Sequence, residues 1–425
     1  MEQISSSLSW NGIELTTIEQ GGVASALGFR AGGIHAGFRK DPDRLDMALV
    51  EAEELAAVAA TFTQNVFCAA PVIVSKEHLD GRNFGFARAV IINSGCANAA
   101  TGSVGLDAAN RTCDIVASAI GCSVDDVLVA STGVIGQILD TTPFETAVPA
   151  LHQSMTCETG ADAARAIMTT DTVPKQIAVS YVSEDPALKG ATITVGGMAK
   201  GSGMIMPNMA TMIAVITTDA PLEPALLHTT LVHSVDRSFN KVTVDSDTST
   251  NDTCFLFASG RAALHAHIEE GSIAYREFQA ALDFITQDLA RKMARDGEGA
   301  TKLVTVKVSG ARTPEEADMA ARCVANSPLV KTAIFGHDAN WGRIAGALGR
   351  SGAQFEQQNV SIDIMGIPVC RDGLTVEFDE EEALRRFEEP EILLAADLGA
   401  GDAQTTVWTC DFSYDYVRIN GDYRT

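Results

Sequence analysis

Positive charge is scarce in this sequence. Its 425 residues include 31 lysines and arginines against 55 aspartates and glutamates, which gives a net charge of −24 at pH 7. A surface with this excess of negative charge repels phosphate backbones and anionic lipid headgroups. We therefore expect neither nucleic acid nor a membrane as a partner.

The nine cysteines do not form a recognisable framework. Their number is odd and no Cys-x-x-Cys pair occurs, which argues against a zinc site and a disulfide scaffold and indicates reduced thiols. The first ten residues, MEQISSSLSW, lack the basic and apolar regions of a secretion signal. Both features predict a cytoplasmic protein.

Motifs for nucleotide binding and for zinc hydrolysis are also absent. The sequence contains no Walker loop and no His-Glu-x-x-His helix. Gly201-Ser-Gly203 and Gly399-Ala-Gly401 resemble the start of a dinucleotide-binding loop, but each lacks the third glycine, and we interpret both as tight loops. Hydrophobic residues, by contrast, make up 46% of the chain and charged residues 20%, which is enough for a large core.

Short apolar runs alternate with segments of helical periodicity, so the predicted fold class is mixed α/β. The predicted strands are Ala87–Ile92, Val127–Ser131, Gln176–Val182, Ala191–Val195, Thr211–Thr217, Thr253–Ala258, Leu303–Val308 and Ala403–Thr409. The predicted helices are Leu106–Ile120, Glu145–Met155, Glu223–Val235, Ile273–Ala294, Pro314–Val324 and Glu380–Phe387. The segment Leu45–Ala60 has helical propensity, although its alanine and valine content also allows a buried hairpin. No internal repeat or long linker marks a domain boundary.

One segment, from Lys200 to Asp219, carries a chemical signal. Its turn-prone residues Gly-Ser-Gly-Met-Ile-Met-Pro-Asn lead into an apolar strand that opens with Thr211. A β-branched residue at the start of a buried strand is explained by strand propensity alone. Residue type by itself therefore favours a structural role for Thr211.

The same segment resembles the self-processing region of ornithine acetyltransferases, also called glutamate N-acetyltransferases, in which the chain is cut before the threonine of Met-Ala-Thr-Met. Further stretches similar to that family occur in the family's order along nearly the whole chain: Phe67-Cys-Ala-Ala-Pro-Val72, Asn93-Ser-Gly-Cys-Ala-Asn-Ala99, Ser131-Thr-Gly-Val-Ile-Gly136, Ile167-Met-Thr-Thr-Asp-Thr172, Asp296-Gly-Glu-Gly-Ala-Thr-Lys302, Asn340-Trp-Gly-Arg-Ile344 and Asp415-Tyr-Val-Arg-Ile-Asn420. The resemblance implies self-cleavage between Ala210 and Thr211, followed by transfer of an acetyl group from N2-acetylornithine to glutamate in arginine biosynthesis.

A particular fold comes with this resemblance. It implies an α/β protein with stacked β-sheets flanked by helices, in an N-terminal-nucleophile-like self-processing fold. Cleavage would produce an alpha fragment, residues 1–210, and a beta fragment, residues 211–425. The two fragments are expected to be intertwined rather than independent domains.

The implied chemistry suits a threonine at a newly made N-terminus. A threonine hydroxyl is a weak nucleophile until a base removes its proton. The α-amino group of the same residue titrates near ~7.7–8.0, so it supplies that base under mildly alkaline conditions. The hydroxyl of Thr211 would first attack the carbonyl of Ala210, which converts the amide into an ester and frees the amino group, and hydrolysis of that ester would then separate the two fragments.

The resemblance also assigns residues around the nucleophile. Thr132 and Gly133, which follow a predicted strand, form the oxyanion hole that acyl transfer requires. Lys200 is a candidate partner for a substrate carboxylate, and Glu298 is a candidate ammonium partner or orienting residue. The remaining substrate-binding candidates are Thr169, Thr170, Asn420 and Thr425. Which of the two adjacent threonines makes the contact is left open.

The resemblance implies no metal and no organic cofactor, and it leaves acetyl-CoA open as a second acetyl donor. The family assembles from two copies of each fragment, and we expect the same here. Two alternatives stay open: a self-processing aminopeptidase or amidohydrolase, and a non-catalytic binding protein that has kept the fold. Met206 departs from the family pattern five residues before Thr211, and its effect on cleavage is also open.

Overall fold

The computed structural model describes residues 6–206 and 212–422. Within them the strands are β1 (Ser7–Trp10), β2 (Ile13–Thr17), β3 (Phe29–Ile34), β4 (Met47–Phe62), β5 (Phe84–Cys96), β6 (Val127–Val134), β7 (Lys175–Val182), β8 (Thr192–Lys200), β9 (Ile213–Thr218), β10 (Thr253–Ala258), β11 (Leu303–Ala311), β12 (Ser361–Ile364), β13 (Ile367–Arg371), β14 (Leu374–Thr375), β15 (Glu391–Asp397) and β16 (Ala403–Cys410). The α-helices are α1 (Ala70–His78), α2 (Gly102–Ile120), α3 (Thr142–Ser154), α4 (Gly160–Ala166), α5 (Pro224–Asp236), α6 (Ile273–Arg295), α7 (Pro314–Ala325), α8 (Pro328–Phe335), α9 (Trp341–Gly349), α10 (Glu380–Arg386) and α11 (Tyr414–Asp422). None of these described helices has the length and apolar character needed to cross a membrane.

The region with helical propensity is a strand. β4 covers nearly all of Leu45–Ala60, so the prediction of a helix there is wrong, and no hairpin interrupts it. One edge of β4 pairs with β3 and β10, and the other edge pairs with β5. Pairing along both edges outweighs helix propensities, which differ by less than about 1 kcal/mol per residue.

The larger sheet contains ten of the described strands. Their order is β1-β2-β7-β8-β9-β10-β4-β5-β6, and β3 pairs with the first half of β4. A register shift between Glu51 and Ala56 divides β4 into two halves. Side chains from β5 and β6 share one buried cluster with side chains from β9 and β10, and the cluster includes Ile92, Leu128, Val215 and Phe255. Asn251, which lies just before β10, also bonds to Ser131 on β6, although β4 and β5 lie between these two strands in the sheet order. The sheet therefore folds over its own apolar face into two stacked layers, and the expected α/β class with stacked sheets is confirmed.

The smaller sheet contains six of the described strands, in the order β14-β13-β12-β15-β11-β16. Helix α6 contacts β7 and β8 of the larger sheet and β11 and β16 of the smaller sheet, so it joins the two. Ser272 caps its first turn by accepting a hydrogen bond from the N–H of Tyr275. The buried positions of α6 recur every three or four residues, as a core-facing helix requires, and include Phe278, Leu282, Ile285, Leu289 and Met293.

The chain enters β9 at the end of the sheet where β8 stops. Lys200, the last residue of β8, lies directly opposite Ile213, the first residue of β9. Ile213 also pairs with Thr253, the first residue of the parallel strand β10. The end of β6 lies across the stacked layers from this region, because Asn251, just before β10, bonds to the carbonyl oxygen of Ser131 on β6.

Candidate active site

Gly133 lies near the end of β6 in a backbone conformation that favours glycine. Its φ angle is +132°, and an added Cβ atom would meet the carbonyl carbon of Gly95 on β5 at 2.3 Å. The pairing of β5 with β6 shifts register beside it, at Cys96. The backbone at Thr132 and Gly133 thus departs from the regular ladder, which suits donors that are offered to a ligand.

Asn251, which the sequence did not single out, fixes the end of β6. Its Nδ2 atom donates hydrogen bonds to the carbonyl oxygen of Ala97 at 2.6 Å and to that of Ser131 at 2.9 Å. The hydroxyl of Ser131 donates to Oδ1 of Asn93 at 2.6 Å. Because all of these groups are buried, the amide of Asn251 ties the layer that contains β6 to the segment that leads into β10.

Lys200 places an ammonium group inside the molecule. The residue is 2% exposed, and burial lowers the pKa of its ammonium group. The carboxylate of Asp171 opposes this effect because it favours the charged form. Lys200 lines a cavity whose wall also contains Thr132 and Gly133. A buried cation beside backbone donors is suited to holding the carboxylate of a ligand.

A buried ionic triad holds the loop that carries Thr169 and Thr170. Nζ of Lys175 lies 2.7 Å from Oδ1 of Asp171 and 2.5 Å from Oδ2 of Asp296. The other oxygen of Asp171 accepts a hydrogen bond from the N–H of Thr169 at 3.0 Å. Both threonines line the cavity, so their positions do not decide which of them contacts a ligand.

Glu298 lies against the backbone of Gly203. A Cβ atom at Gly203 would meet the carboxyl carbon of Glu298 at 2.3 Å, so a larger residue there would displace the carboxylate. Oε2 of Glu298 accepts a hydrogen bond from Nδ2 of Asn420 at 2.8 Å. Both side chains line the cavity, and the C-terminal helix α11 therefore contributes to the same site as the segment that follows α6.

Several acidic and polar groups of this site were missed by the sequence reasoning. The cavity wall also contains Asp245, Asp247, Ser249 and Tyr416. Burial raises the pKa of Asp245 to about 6. Oδ1 of Asp252 accepts a hydrogen bond from the N–H of Met212 at 2.9 Å, and burial raises the pKa of this carboxyl well above its usual range. Apart from Tyr416, these residues belong to the polar run Asp245-Ser-Asp-Thr-Ser-Thr-Asn-Asp252 between two apolar segments, and this run is the sequence signal that could have indicated them.

The predicted site residues within the described ranges all line this one cavity: Thr132, Gly133, Thr169, Thr170, Lys200, Glu298 and Asn420. The other predicted positions, Ala210, Thr211 and Thr425, lie outside the described residues. The individual roles stay predictions. Backbone groups at a glycine, a buried ammonium and several carboxyl groups together form a site suited to acyl transfer on a small charged molecule.

Comparison with known proteins identifies the family. The sequence profile of the ArgJ family matches residues 30–425. The arginine biosynthesis bifunctional protein ArgJ of Symbiobacterium thermophilum is 46% identical over 406 residues, which cover 95% of this chain and 99% of that protein. Its counterpart in Chlorobaculum tepidum is 47% identical over 398 residues, which cover 94% of this chain and 96% of that protein.

Among solved structures, the ornithine acetyltransferase complexed with ornithine from Mycobacterium tuberculosis is 38% identical. The match covers 46% of this chain and 98% of that chain, with a TM-score of 0.41. On the profile match and the two curated relatives, the chain belongs to the ArgJ family. The family membership predicted from the sequence motifs is confirmed.

Proposed function

We propose that this protein transfers an acetyl group from N2-acetylornithine to glutamate through Thr211, after cutting itself between Ala210 and Thr211. Its membership of the ArgJ family makes it an acetyltransferase of arginine biosynthesis. The observation that carries the proposal is the cavity shared by Thr132, Gly133 and the buried Lys200. Lys200 also pairs with the residue two positions after Thr211, which connects the cavity to the proposed nucleophile along the chain.

The cleavage and transfer steps use the same hydroxyl. In self-cleavage, the oxygen of Thr211 attacks the carbonyl carbon of Ala210, the C–N bond breaks as an ester forms, and the nitrogen takes up the proton and becomes a free amino group. Water then hydrolyses the ester, which releases the carboxylate of Ala210 and restores the hydroxyl of Thr211. In turnover, this amino group accepts the hydroxyl proton while the oxygen attacks the acetyl carbonyl. Donors at Thr132 and Gly133 stabilise the oxyanion. Ornithine leaves, and the amino group of glutamate attacks the acetyl ester.

Charge orients both substrates at their shared end. The ammonium of Lys200 binds the α-carboxylate that acetylornithine and glutamate have in common. Glu298, held by the amide of Asn420, orients the α-nitrogen, which is acetylated in the donor and free in the acceptor. Thr169 or Thr170 completes the contact from the loop fixed by the ionic triad. The side-chain ends of the two substrates differ in charge, so a single fixed charge cannot bind both.

We extend the proposal to the protein's assembly and setting. Fragments 1–210 and 211–425 assemble as two copies of each, and the enzyme works in the cytoplasm without a metal or organic cofactor. The names of the relatives describe them as bifunctional, which favours acetyl-CoA as a second donor. An assay of acetylglutamate formation with acetyl-CoA as the sole donor tests that extension. Family membership does not favour the aminopeptidase or the binding-protein alternative.

Purified protein is expected to show two fragments of 210 and 215 residues, the second beginning Thr-Met-Ile-Ala-Val. The reason is that the proposed base exists only when Thr211 has a free amino group. N-terminal sequencing checks the result. Recovery of Met1 as the sole N-terminus would remove self-cleavage from the proposal.

Acetyl transfer is expected to follow ping-pong kinetics. Initial rates at several glutamate concentrations should give parallel lines in double-reciprocal plots, because ornithine leaves before glutamate binds. Without glutamate, mass spectrometry should find one added acetyl group on the second fragment. Intersecting lines without an adduct would indicate direct transfer, and hydrolysis that glutamate does not suppress would indicate a hydrolase.

Deleting residues 421–425 is expected to preserve folding and self-cleavage but to weaken catalysis. The deletion removes the proposed contact between Thr425 and the substrates but keeps Asn420 and its hydrogen bond to Glu298. Loss of a positioning contact should raise KM or lower kcat by about tenfold or more. Asn420→Ala is the companion variant, because it frees Glu298 without shortening the chain. Unchanged constants in the deletion would remove Thr425 from the site.

A further inference from the structure

The cavity must accept two side chains of opposite charge. If the proposed function holds, the donor presents a side-chain ammonium and the acceptor presents a side-chain carboxylate to the same position. We infer that Asp245 binds both side chains. Its carboxylate accepts a hydrogen bond from the side-chain ammonium of acetylornithine, and its protonated form donates a hydrogen bond to the γ-carboxylate of glutamate. This inference rests on the proposed function and names the residue that determines side-chain specificity.

Backbone hydrogen bonds fix Asp245 in the cavity wall. Its Oδ1 accepts from the N–H of Ile205 at 2.8 Å and from the N–H of Asp247 at 3.4 Å, and its Oδ2 accepts from the N–H of Met204 at 2.6 Å. A carboxylate has about four acceptor positions, so one position on Oδ2 stays open. That position serves a ligand in either protonation state: it accepts from an ammonium, or it carries the proton that is donated to a carboxylate.

The other carboxyl groups of the wall fit this role less well. Glu298 already accepts from Asn420 and is pressed against Gly203, so its carboxylate is committed to the α-nitrogen end. Asp247 is exposed, and water solvates its charge there. Asp245 is half-buried, so water screens its charge less than that of Asp247. A change in its protonation state therefore has a larger effect on a bound ligand.

The surroundings of Asp245 allow it to change protonation state near neutral pH. The titratable groups around it come from its own segment, from the segment after α6, and from α8, β16 and α11: Asp247, Glu298, Lys331, Cys410 and Tyr416. Burial raises the pKa of Asp245 to about 6, and the charge of Asp247 acts in the same direction. An ordinary aspartic acid is protonated in about one molecule per thousand at pH 7, whereas this one is protonated in about one molecule in ten. The proton enters from solvent when glutamate binds and returns when acetylglutamate leaves.

The wild-type enzyme tests the inference with pairs of charged and neutral substrates. Glutamate and glutamine differ at the side chain but share the reacting amine, so the ratio of their kcat/KM values cancels effects of the catalytic base. This ratio is expected to fall by about tenfold or more between pH 6 and pH 8, because Asp245 loses its proton. The ratio for acetylornithine over the neutral acetylnorvaline should rise over the same range.

Asp245→Asn is expected to abolish both pH trends, because the amide does not titrate there. The matched control is Asp219→Asn. Burial raises the pKa of Asp219 as well, and its oxygens accept hydrogen bonds from the N–H groups of Thr194 and Leu27 at 2.7 and 3.2 Å. Asp219 follows the last residue of β9, however, whereas the cavity lies near the first residue of that strand. The control should keep both trends.

Three outcomes separate the inference from the proposed function. Ratios that stay flat with pH in a wild-type enzyme that transfers acetyl would overturn the role of Asp245 alone. Trends that persist in Asp245→Asn would assign the proton to another group and also overturn it. A wild-type enzyme that makes no acetylglutamate from acetylornithine would overturn the proposed function itself.

Discussion

Replacing Thr211 by alanine is expected to leave one uncut chain of 425 residues that does not transfer acetyl groups. The substitution removes the hydroxyl that is proposed both to cut the chain and to carry the acetyl group, so both activities should be lost together. Thr211→Ser keeps the hydroxyl but loses the methyl group that restricts its rotamer, so it should cut and turn over more slowly. Denaturing gels and an acetylglutamate assay measure the two effects.

Thr217→Ala is the matched control for this experiment. Thr217 lies in the same part of the chain, on β9, and its buried hydroxyl donates to the carbonyl oxygen of Val23 at 2.7 Å. Its loss is expected to cost stability of about 1 kcal/mol but to leave cleavage and transfer intact. If Thr211→Ala is cut or transfers acetyl groups, Thr211 is not the nucleophile.

The substitution Gly133→Ala is expected to lower kcat by about 10²–10³-fold, which is the usual effect of losing one oxyanion-hole donor. The added Cβ atom would meet Gly95 at 2.3 Å, and the φ angle of +132° disfavours any larger residue. The backbone at Thr132 and Gly133 must therefore shift. Steady-state rates at saturating substrate check the prediction, and circular dichroism checks that the variant is folded.

Gly136→Ala separates the oxyanion-hole effect from general backbone strain. Gly136 follows the same strand and also has a positive φ, +81°, but no other atom lies within 4 Å of the place that an added Cβ would occupy. Its substitution should lower thermal stability slightly and leave kcat within about twofold of the wild type. Equal losses of activity in the two variants would contradict the assignment of Gly133 to the oxyanion hole.

The sequence predicted elements well where local pattern and packing agree. Helix α6 was expected over Ile273–Ala294 and spans Ile273–Arg295, and β10 was expected and found over Thr253–Ala258. In α6 the periodicity of the apolar residues matches the buried face, and β10 is a short, nearly continuous apolar run whose residues are all buried. The alanine-rich strand β4 was predicted incorrectly because its pairing with β3, β5 and β10 lies outside a local sequence window and its own residues favour helices.

The C-terminal segment was represented in the sequence analysis by one family motif, which made Asn420 a substrate-binding candidate. The structure has the helix α11 there, with Asn420 bonded to Glu298. Stacking of Tyr416 on Phe412, with ring centroids 4.7 Å apart, helps to hold this helix. A helix with few buried residues has a weak sequence signal, because contacts at single positions determine where it packs.

The candidate site was predictable only where residues belong to recognised motifs. Thr132, Lys200 and Glu298 were identified in that way, and the fold brings them to one cavity. Asn251 and Asp245 lie in a polar run that resembles an ordinary loop, and their importance follows from burial and from partners distant in sequence. Neither burial nor a partner that is distant in sequence can be predicted from the neighbouring residues alone.

Strands β9 and β10 form an insert between β8 on one side and β4 on the other. A cut before Thr211 would place the inserted pair on one polypeptide and both of its flanking strands on the other. Renaturation of the cut protein would then be an association of two molecules, with a rate that depends on concentration, whereas the uncut alanine variant at Thr211 would refold in a first-order reaction. The mature enzyme would thus depend for its lifetime on slow unfolding rather than on easy recovery.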